Sequence, residues 1–272
     1  MLLDKLQFDV FKWFFEKHKP HFSTLFFNST AHMQHAYWRH MDPDAFKLKP
    51  DEEERAEYGG AVLFGYQEMD KLVGKILDLA GSDVSIVFTS ALGQQPYTKL
   101  EDEGGKHFYR PRKFADVTAF AGIASPHTCS PVMSEEFHVY FEDEAAADAG
   151  MQVLKGMTVD GRQALALKRE DPKTILAGCG IYSTIPPEAT LTSAAGETKP
   201  FFDLFYSADT VKSGMHHPDG VFWVRTPSRD HAVHTERVSL RAVAPTVTRL
   251  LGLEPPEFMR EEALVAEAEA VS

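Results

Sequence analysis

Residues 61–90 read AVLFGYQEMDKLVGKILDLAGSDVSIVFTS and carry the strongest structural signal in the chain. Over 61–79 the apolar side chains recur every three or four residues, which predicts an amphipathic helix. Gly81 ends this helix, and the β-branched residues of 84–89 predict a strand directly after it. Strands that alternate with helices are typical of α/β folds with a mostly parallel sheet flanked by helices, so we expect that architecture here.

The rest of the chain supplies further elements around this helix and strand. Helical spacing over 2–17 ends at Pro20, the aromatic run 22–27 predicts a short buried strand, and 28–40 reads as a polar, histidine-rich turn. The other predicted elements are a strand at 137–141, a helix at 142–155, strands at 164–168 and 174–181, a surface loop at 186–200, a strand at 221–225 and a helix at 240–251.

This order of elements predicts one core with a small αβ insertion. We expect a core α/β part over 1–130, an inserted αβ subdomain over 131–200, a return to the core over 201–260 and an acidic tail over 261–272. The tail is rich in Ala and Glu and predicts a solvated or frayed helix.

Composition excludes several classes of protein. The 272 residues include 28 Lys plus Arg against 40 Asp plus Glu, a net charge of −12 that disfavours nucleic acid as a partner. The two cysteines, Cys129 and Cys179, are too few for a disulfide framework and are interpreted as reduced core residues. Because the sequence shows neither a long apolar run nor a signal peptide, we expect a cytoplasmic protein with no membrane partner.

Three segments in chain order resemble the alkaline phosphatase superfamily, specifically its type I phosphodiesterase and nucleotide pyrophosphatase branch. The first is 28–43, similar to a family motif in which Asp-x-x-x-His supplies two zinc ligands before an aromatic helix. The second is 70–93, similar to the family's helix, strand and Ser-Asp-His-Gly turn. The third is 214–259, with a Gly-x-His, a Pro-Asp-Gly turn and the stretch APTVTRLLGL.

The resemblance implies a hydrolase that uses two zinc ions. In the family, His nitrogens and carboxylate oxygens at strand ends hold the two ions, which clamp a phosphoryl or sulfuryl group while a Thr or Ser attacks in line. It also implies an alkaline-phosphatase-like parallel sheet for this chain.

This sequence departs from the family's metal motifs at three positions. His35 matches one ligand, but the Asp expected four residues earlier is Ala31, and the Ser-Asp-His-Gly turn carries Ala91 and Leu92 instead of two ligands. His216 matches the final histidine ligand. The resemblance therefore leaves His35 and His216 as residual metal ligands, enough for one weakly held zinc or other divalent ion, and leaves no residue with a catalytic role.

The family's N-terminal half, with its nucleophile and first metal-binding Asp, has no counterpart before Leu2. That half contributes central strands in the family, so we expect apolar surface that a homo-oligomer contact or a second chain covers.

Other polar residues near these motifs are candidates for ligand binding without a metal. Gln94 and Gln95 follow the altered turn, and His217 neighbours His216. Alternative interpretations remain open for three sets of residues. His32, His35 and His40 are either a metal cluster or surface histidines, and His231 with His234, which have the same three-residue spacing but match no family ligand, are interpreted as solvated. The basic stretch 106–113 is either an anion site or a solvated loop.

These residues support two main functional hypotheses. The first is a degenerate phosphodiesterase-like domain that acts as a binding or structural module. The alternative is the C-terminal half of a split or truncated metal-dependent hydrolase that uses His35 and His216. A third, metal-free catalysis by Gln94, Gln95 and a histidine, is weakened because glutamine is neither a general acid nor a general base.

Overall fold

The computed structural model describes residues 1–208, 211–228, 231, 233 and 235–265 as a mixture of helices and strands. The chain forms two compact units. Unit 1 comprises Met1–Ala45, Pro50–Pro96 and the described residues from Ser213 onward, and unit 2 comprises Phe46–Lys49 and Tyr97–Lys212. The predicted bounds 1–130, 131–200 and 201–260 stay a prediction.

The elements are, in chain order, α1 (Leu2–His18), α2 (Ser29–Met41), α3 (Glu52–Tyr58), α4 (Ala61–Ala80), β1 (Ile86–Ser90), β2 (Gly93–Pro96), β3 (Tyr109–Pro111), α5 (Phe114–Ala121), β4 (His127–Pro131), β5 (Phe137–Phe141), α6 (Glu144–Lys155), β6 (Thr158–Val159), β7 (Arg162–Gln163), β8 (Leu165–Asp171), β9 (Thr174–Cys179), β10 (Thr190–Thr192), β11 (Thr198–Pro200), α7 (Phe201–Leu204), β12 (Phe205–Ser207), β13 (Gly214–His217), β14 (Val221–Arg225) and α8 (Val243–Leu250).

Unit 1 is built around the packing of α2 on α4. Thr30 Oγ1 donates to the Gly65 carbonyl at 3.3 Å, and Gln34 Nε2 donates to the Tyr66 hydroxyl at 3.0 Å. Gly65 faces Met33 of α2, and a Cβ at position 65 would lie in van der Waals contact with Met33 Cγ at 3.4 Å. Two antiparallel pairs, β1 with β14 and β2 with β13, complete the unit's strands among the described residues.

Unit 2 contains a four-stranded sheet in the order β4-β5-β9-β8, with α5 and α6 packed against it. The side chains of β5 alternate between the core and the outer face, as expected for a sheet covered on one side. The two free cysteines lie here: Cys179 is buried in the core and Cys129 packs against it. Burial raises the pKa of the Cys179 thiol to about 12, which keeps it protonated.

The expectation of a mostly parallel sheet is wrong. Every strand pairing among the described residues is antiparallel, and β1 pairs with β14 rather than with a strand before α4. The aromatic run 22–27, predicted as that earlier strand, is irregular, with Phe26 exposed over 70% of its surface. Without that strand, the helix and strand of 61–90 do not form a parallel crossover.

The structure confirms the helices predicted near 2–17 and 61–79 and the strands at 137–141 and 221–225. The turn predicted over 28–40 is wrong, because 29–41 form α2. The predicted tail helix lies outside the described residues from position 266 onward. No helix in the described part of the chain combines the length and apolarity needed to cross a membrane.

Candidate functional site

The two histidines predicted as residual metal ligands meet in unit 1. His35 lies on α2 and His216 on β13, and their ring centroids are 5.0 Å apart. Gly214, the first residue of β13, makes this approach possible: a Cβ there would contact the Gln34 carbonyl oxygen and lie 3.2 Å from His35 Cα. The strand therefore passes directly against the backbone of α2, which brings His216 beside His35.

Two hydrogen bonds orient the His35 ring. Its Nδ1 lies 2.8 Å from the Gly214 carbonyl oxygen, and because a carbonyl only accepts, Nδ1 carries the proton. In the neutral ring Nε2 is then the acceptor, and the Gln94 amide nitrogen lies 3.4 Å from it as donor. The arrangement favours one neutral tautomer of His35.

The register of β2 and β13 separates the predicted ligand-binding residues into two groups. His216 pairs with Gln94 and His217 with Gly93, and residues directly opposite in an antiparallel pair share a face. His35, His216 and Gln94 therefore come together. The neighbouring Gln95 and His217 lie on the other face of the pair by strand alternation.

Gln95 and His217 have local structural contacts instead. Gln95 Nε2 donates to the backbone carbonyl of His216 at 2.9 Å. His217 Nδ1 accepts from the Asp219 backbone amide at 3.1 Å and thereby supports the turn between β13 and β14. These two residues stabilise the strands that hold the site.

One polar atom at the site lacks a partner. Gln94 Oε1 is buried and has no hydrogen bond within the described residues, while the amide nitrogen of the same side chain faces His35. A buried acceptor without a partner costs about 1–3 kcal/mol, so a donor placed there gains that amount. We call His35, Gln94 and His216 the His–Gln site.

The His–Gln site does not by itself fit a zinc centre. Among the residues that the structure describes, no group of three or more His, Cys, Asp or Glu side chains is placed to hold a metal ion. Zinc sites use three or four protein ligands, and both ring nitrogens of His35 already have hydrogen-bond partners. The side chains at Ala31 and Leu92 offer no ligand atom.

The other candidate histidines that the structure describes do not join this site. His32 is exposed and its Nε2 lies 3.2 Å from Asn28 Nδ2. His40 is buried between Tyr37 and Tyr58, and its pKa is lowered by burial and by the charge of Arg39. His231 is exposed and His234 lies outside the described residues.

The basic residues of the stretch 106–113 do not form one common site. Arg110 belongs to β3, and Arg112 Nε donates to the Phe202 carbonyl at 2.9 Å, so both contribute to the fold of unit 2. Lys106 lies apart from them in an aromatic cluster described below.

Sequence reasoning missed Gly214 as the residue that positions both histidines. The Gly-x-His spacing was the available signal, because a glycine two residues before a candidate ligand is typical of close backbone approach.

Comparison of the chain with protein-family models, with curated proteins and with solved structures finds no significant match.

Proposed function

We propose that this chain is a nucleoside-binding module, descended from the phosphodiesterase branch of the alkaline phosphatase superfamily, that has lost metal-dependent hydrolysis. The observation that carries the proposal is the buried, unpartnered Gln94 Oε1 beside two imidazole rings. A buried acceptor favours a ligand that donates a hydrogen bond, and exposed His216 offers a flat ring for stacking. A purine with an exocyclic amino group provides both.

The family relationship rests on the three sequence segments alone, because the antiparallel strands differ from the family's sheet. Loss of hydrolysis is supported by the apolar side chains of Ala31, Ala91 and Leu92 at ligand positions, which leave two imidazoles where the family uses two complete zinc sites. A cytoplasmic location is part of the same proposal and is supported by the free cysteines.

Titration calorimetry with adenosine tests the binding role. Adenosine carries no phosphate, so electrostatic binding elsewhere does not contribute. We expect Gln94→Ala to weaken binding about tenfold, as loss of one hydrogen bond worth about 1.4 kcal/mol would. Gln95→Ala is the matched control, because this neighbouring amide lies on the other face of the strand pair from His35 and His216, and it should change affinity less than twofold. Absence of adenosine binding to the unaltered protein would contradict the proposal.

Elemental analysis and hydrolysis of bis(p-nitrophenyl) phosphate test the loss of catalysis. Protein dialysed against zinc should retain well under one ion per chain and show no hydrolysis above the zinc blank. Two tightly bound zinc ions with turnover would overturn this part of the proposal.

A second candidate function is supported by the 5.0 Å between the His35 and His216 ring centroids. At that separation two imidazoles can share one ion if Gln94 moves away from His35 Nε2 and another chain adds ligands. This is the split-hydrolase hypothesis. It predicts hydrolysis only in a mixture with the partner, abolished by His216→Ala, and a mixture that binds no metal would exclude it.

We also propose that a second copy of this chain covers an apolar side of α1. Side chains of α1 that expose about half or more of their area form one stripe along the helix: Leu2, Leu3, Leu6, Val10, Trp13 and Phe14. Large side chains of this kind have about 200 Å² each, so the stripe exposes on the order of 600 Å². Two copies would bury about 1,200 Å², the lower end of specific interfaces.

A further inference from the structure

A second cluster of chemistry-bearing side chains belongs to unit 2 and shares no residue with the His–Gln site. Lys106 and Lys212 face each other in an isolated antiparallel bridge, and the Lys212 backbone amide donates to the Lys106 carbonyl at 3.0 Å. Side chains directly opposite in such a pair project to the same side. The bridge therefore brings two ammonium groups that are far apart in sequence to one place.

Three aromatic rings surround these ammonium groups. Lys106 Nζ lies 4.0 Å from the centroid of Tyr182 and 4.7 Å from that of Phe108. Lys212 Nζ lies 5.5 Å from the centroid of Tyr97 and 5.9 Å from that of Phe108. Phe108 thus contacts both cations, and it meets Tyr182 edge to face with a centroid distance of 6.5 Å.

Among the described residues, the cluster contains two lysines, and the Glu135 carboxylate lies nearby. In the described part of the chain neither Lys106 nor Lys212 forms an ion pair with a carboxylate. Glu135 is 6% exposed and is hydrogen bonded to Tyr182, whose pKa is raised to about 12 by burial and by this carboxylate. Burial, and then the charge of Lys106, lower the pKa of Lys212, while the charge of the Glu135 carboxylate raises it by a smaller amount. Two half-buried cations that repel each other favour an anion between them.

We propose that Lys106 and Lys212, with Tyr97, Phe108 and Tyr182, bind the phosphate dianion of an aryl or nucleoside phosphate. Two ammonium groups match the charge of a dianion, and lysine commonly binds phosphate as a point charge. The ring of the ligand lies against the aromatic side chains of the cluster, where stacking adds to the affinity. This inference concerns residues of unit 2 and stands independently of the nucleoside site proposed for unit 1.

The basic stretch 106–113 contributes only part of this anion site. Of that stretch only Lys106 and the ring of Phe108 belong to the site, since Arg110 and Arg112 serve the strand β3 and its neighbours. The second cation, Lys212, comes from a segment that the sequence pattern did not associate with this stretch.

Titration calorimetry with phenyl phosphate and with inorganic phosphate, at about 20 mM salt, tests the site. We expect Lys106→Met and Lys212→Met each to weaken phenyl phosphate at least tenfold. Lys173→Met, which removes an exposed lysine of the same unit, is the control and should change the affinity less than twofold. Because loss of one cation also removes packing, Lys106→Arg is included, and it should keep most of the affinity.

The aromatic part is tested separately. Phe108→Leu should weaken phenyl phosphate about fivefold and leave inorganic phosphate nearly unchanged. Thermal melting of each variant checks that the fold is intact. The proposal is overturned if the unaltered protein binds neither probe, or if folded Lys106→Met binds phenyl phosphate as well as the unaltered protein does.

Discussion

Glu68 shows how a single charge is held in unit 1. Its side chain exposes 7% of its surface and forms ion pairs with Lys5 of α1 and with Lys71, the latter at 2.6 Å. These two hydrogen-bonded lysines lower the pKa of the Glu68 carboxyl from its ordinary 4.5 to about 2. The carboxylate therefore links α1 to α4 while it is ionised.

This shift makes the stability of unit 1 depend on acid. The folded-state pKa lies below the unfolded one, so the stabilisation is fully present above pH 4.5 and is lost as the pH falls towards about 2. Urea unfolding of the unaltered protein and of Glu68→Gln between pH 7 and pH 2.5 measures this loss. We expect the two to differ most near neutral pH and to converge in acid, whereas a constant difference would exclude the ion pairs as its cause.

Gly214 is a single residue that determines the geometry of the His–Gln site. In Gly214→Ala the new methyl group would contact the Gln34 carbonyl oxygen and lie 2.8 Å from the Gln34 carbonyl carbon. Because those atoms are backbone, β13 must move, and we expect a loss of about 1–3 kcal/mol in the free energy of unfolding. The His35 Nδ1–H signal in nitrogen-15 NMR should broaden or disappear as its bond to the Gly214 carbonyl lengthens.

Gly74→Ala is the matched control for that substitution. A Cβ at position 74 of α4 meets nothing within 4 Å, and alanine is a better helix former than glycine by about 1 kcal/mol. It should leave the protein as stable or more stable, with the His35 signal unchanged. Equal destabilisation by both substitutions would show that close approach at Gly214 is not the cause.

Among the elements, α1 carries apolar side chains on two sides. One side carries Phe8, which is buried, with Phe11 and Phe15, which are half-buried, and the other carries the exposed stripe that includes Leu6 and Val10. A helix with two apolar sides has more apolar surface than its own unit covers.

We therefore expect the protein to be a dimer in sedimentation equilibrium at micromolar concentration. Leu6→Glu together with Val10→Glu should produce a monomer with an unchanged far-ultraviolet circular dichroism spectrum, since both side chains are exposed in the single chain. Gln67→Glu adds negative charge at an exposed position of α4 and should remain dimeric. A monomeric unaltered protein would contradict the expectation that a second copy covers the stripe.

The elements also show what the sequence could predict. The helix over 61–80 and the strand at 137–141 were predictable because their apolar periods, about 3.6 and 2, are set by burial on one face. The sequence pattern did not predict helix α2, because histidines interrupt its apolar side chains. The helix is stabilised by contacts with α4 around Gly65, which are distant in sequence. Strand partners depend on contacts distant in sequence, so the antiparallel pairing of β1 with β14 could not be predicted from local pattern.

For the site, sequence reasoning indicated His35, His216 and Gln94 but could not separate them from Gln95 and His217. That distinction depends on the register of β2 with β13, where a shift of one residue exchanges the two faces. Only one lysine of the second cluster could be predicted from the sequence. Lys106 belongs to a basic stretch, whereas its partner Lys212 is over a hundred residues away in sequence.

At the scale of the whole molecule, burial is distributed unequally between the two units. The extended hydrophobic cluster, from Tyr109 to Phe205, belongs to unit 2. In unit 1 the buried apolar side chains among the described residues are Phe8, Val62, Leu72, Ala242 and Pro245. Since stability rises with the apolar area that folding buries, we expect unit 1 to be the less stable of the two.

The tryptophans offer a direct test of that inequality. Trp13, Trp38 and Trp223 all lie in unit 1, so tryptophan fluorescence reports the unfolding of that unit alone. Its midpoint in urea should lie below the concentration at which amide hydrogens of β5 and β9 lose protection from exchange. If a second copy covers α1, the fluorescence midpoint should also rise with protein concentration, because association stabilises the folded unit that binds. A single transition at one urea concentration by both measurements, independent of protein concentration, would contradict both expectations.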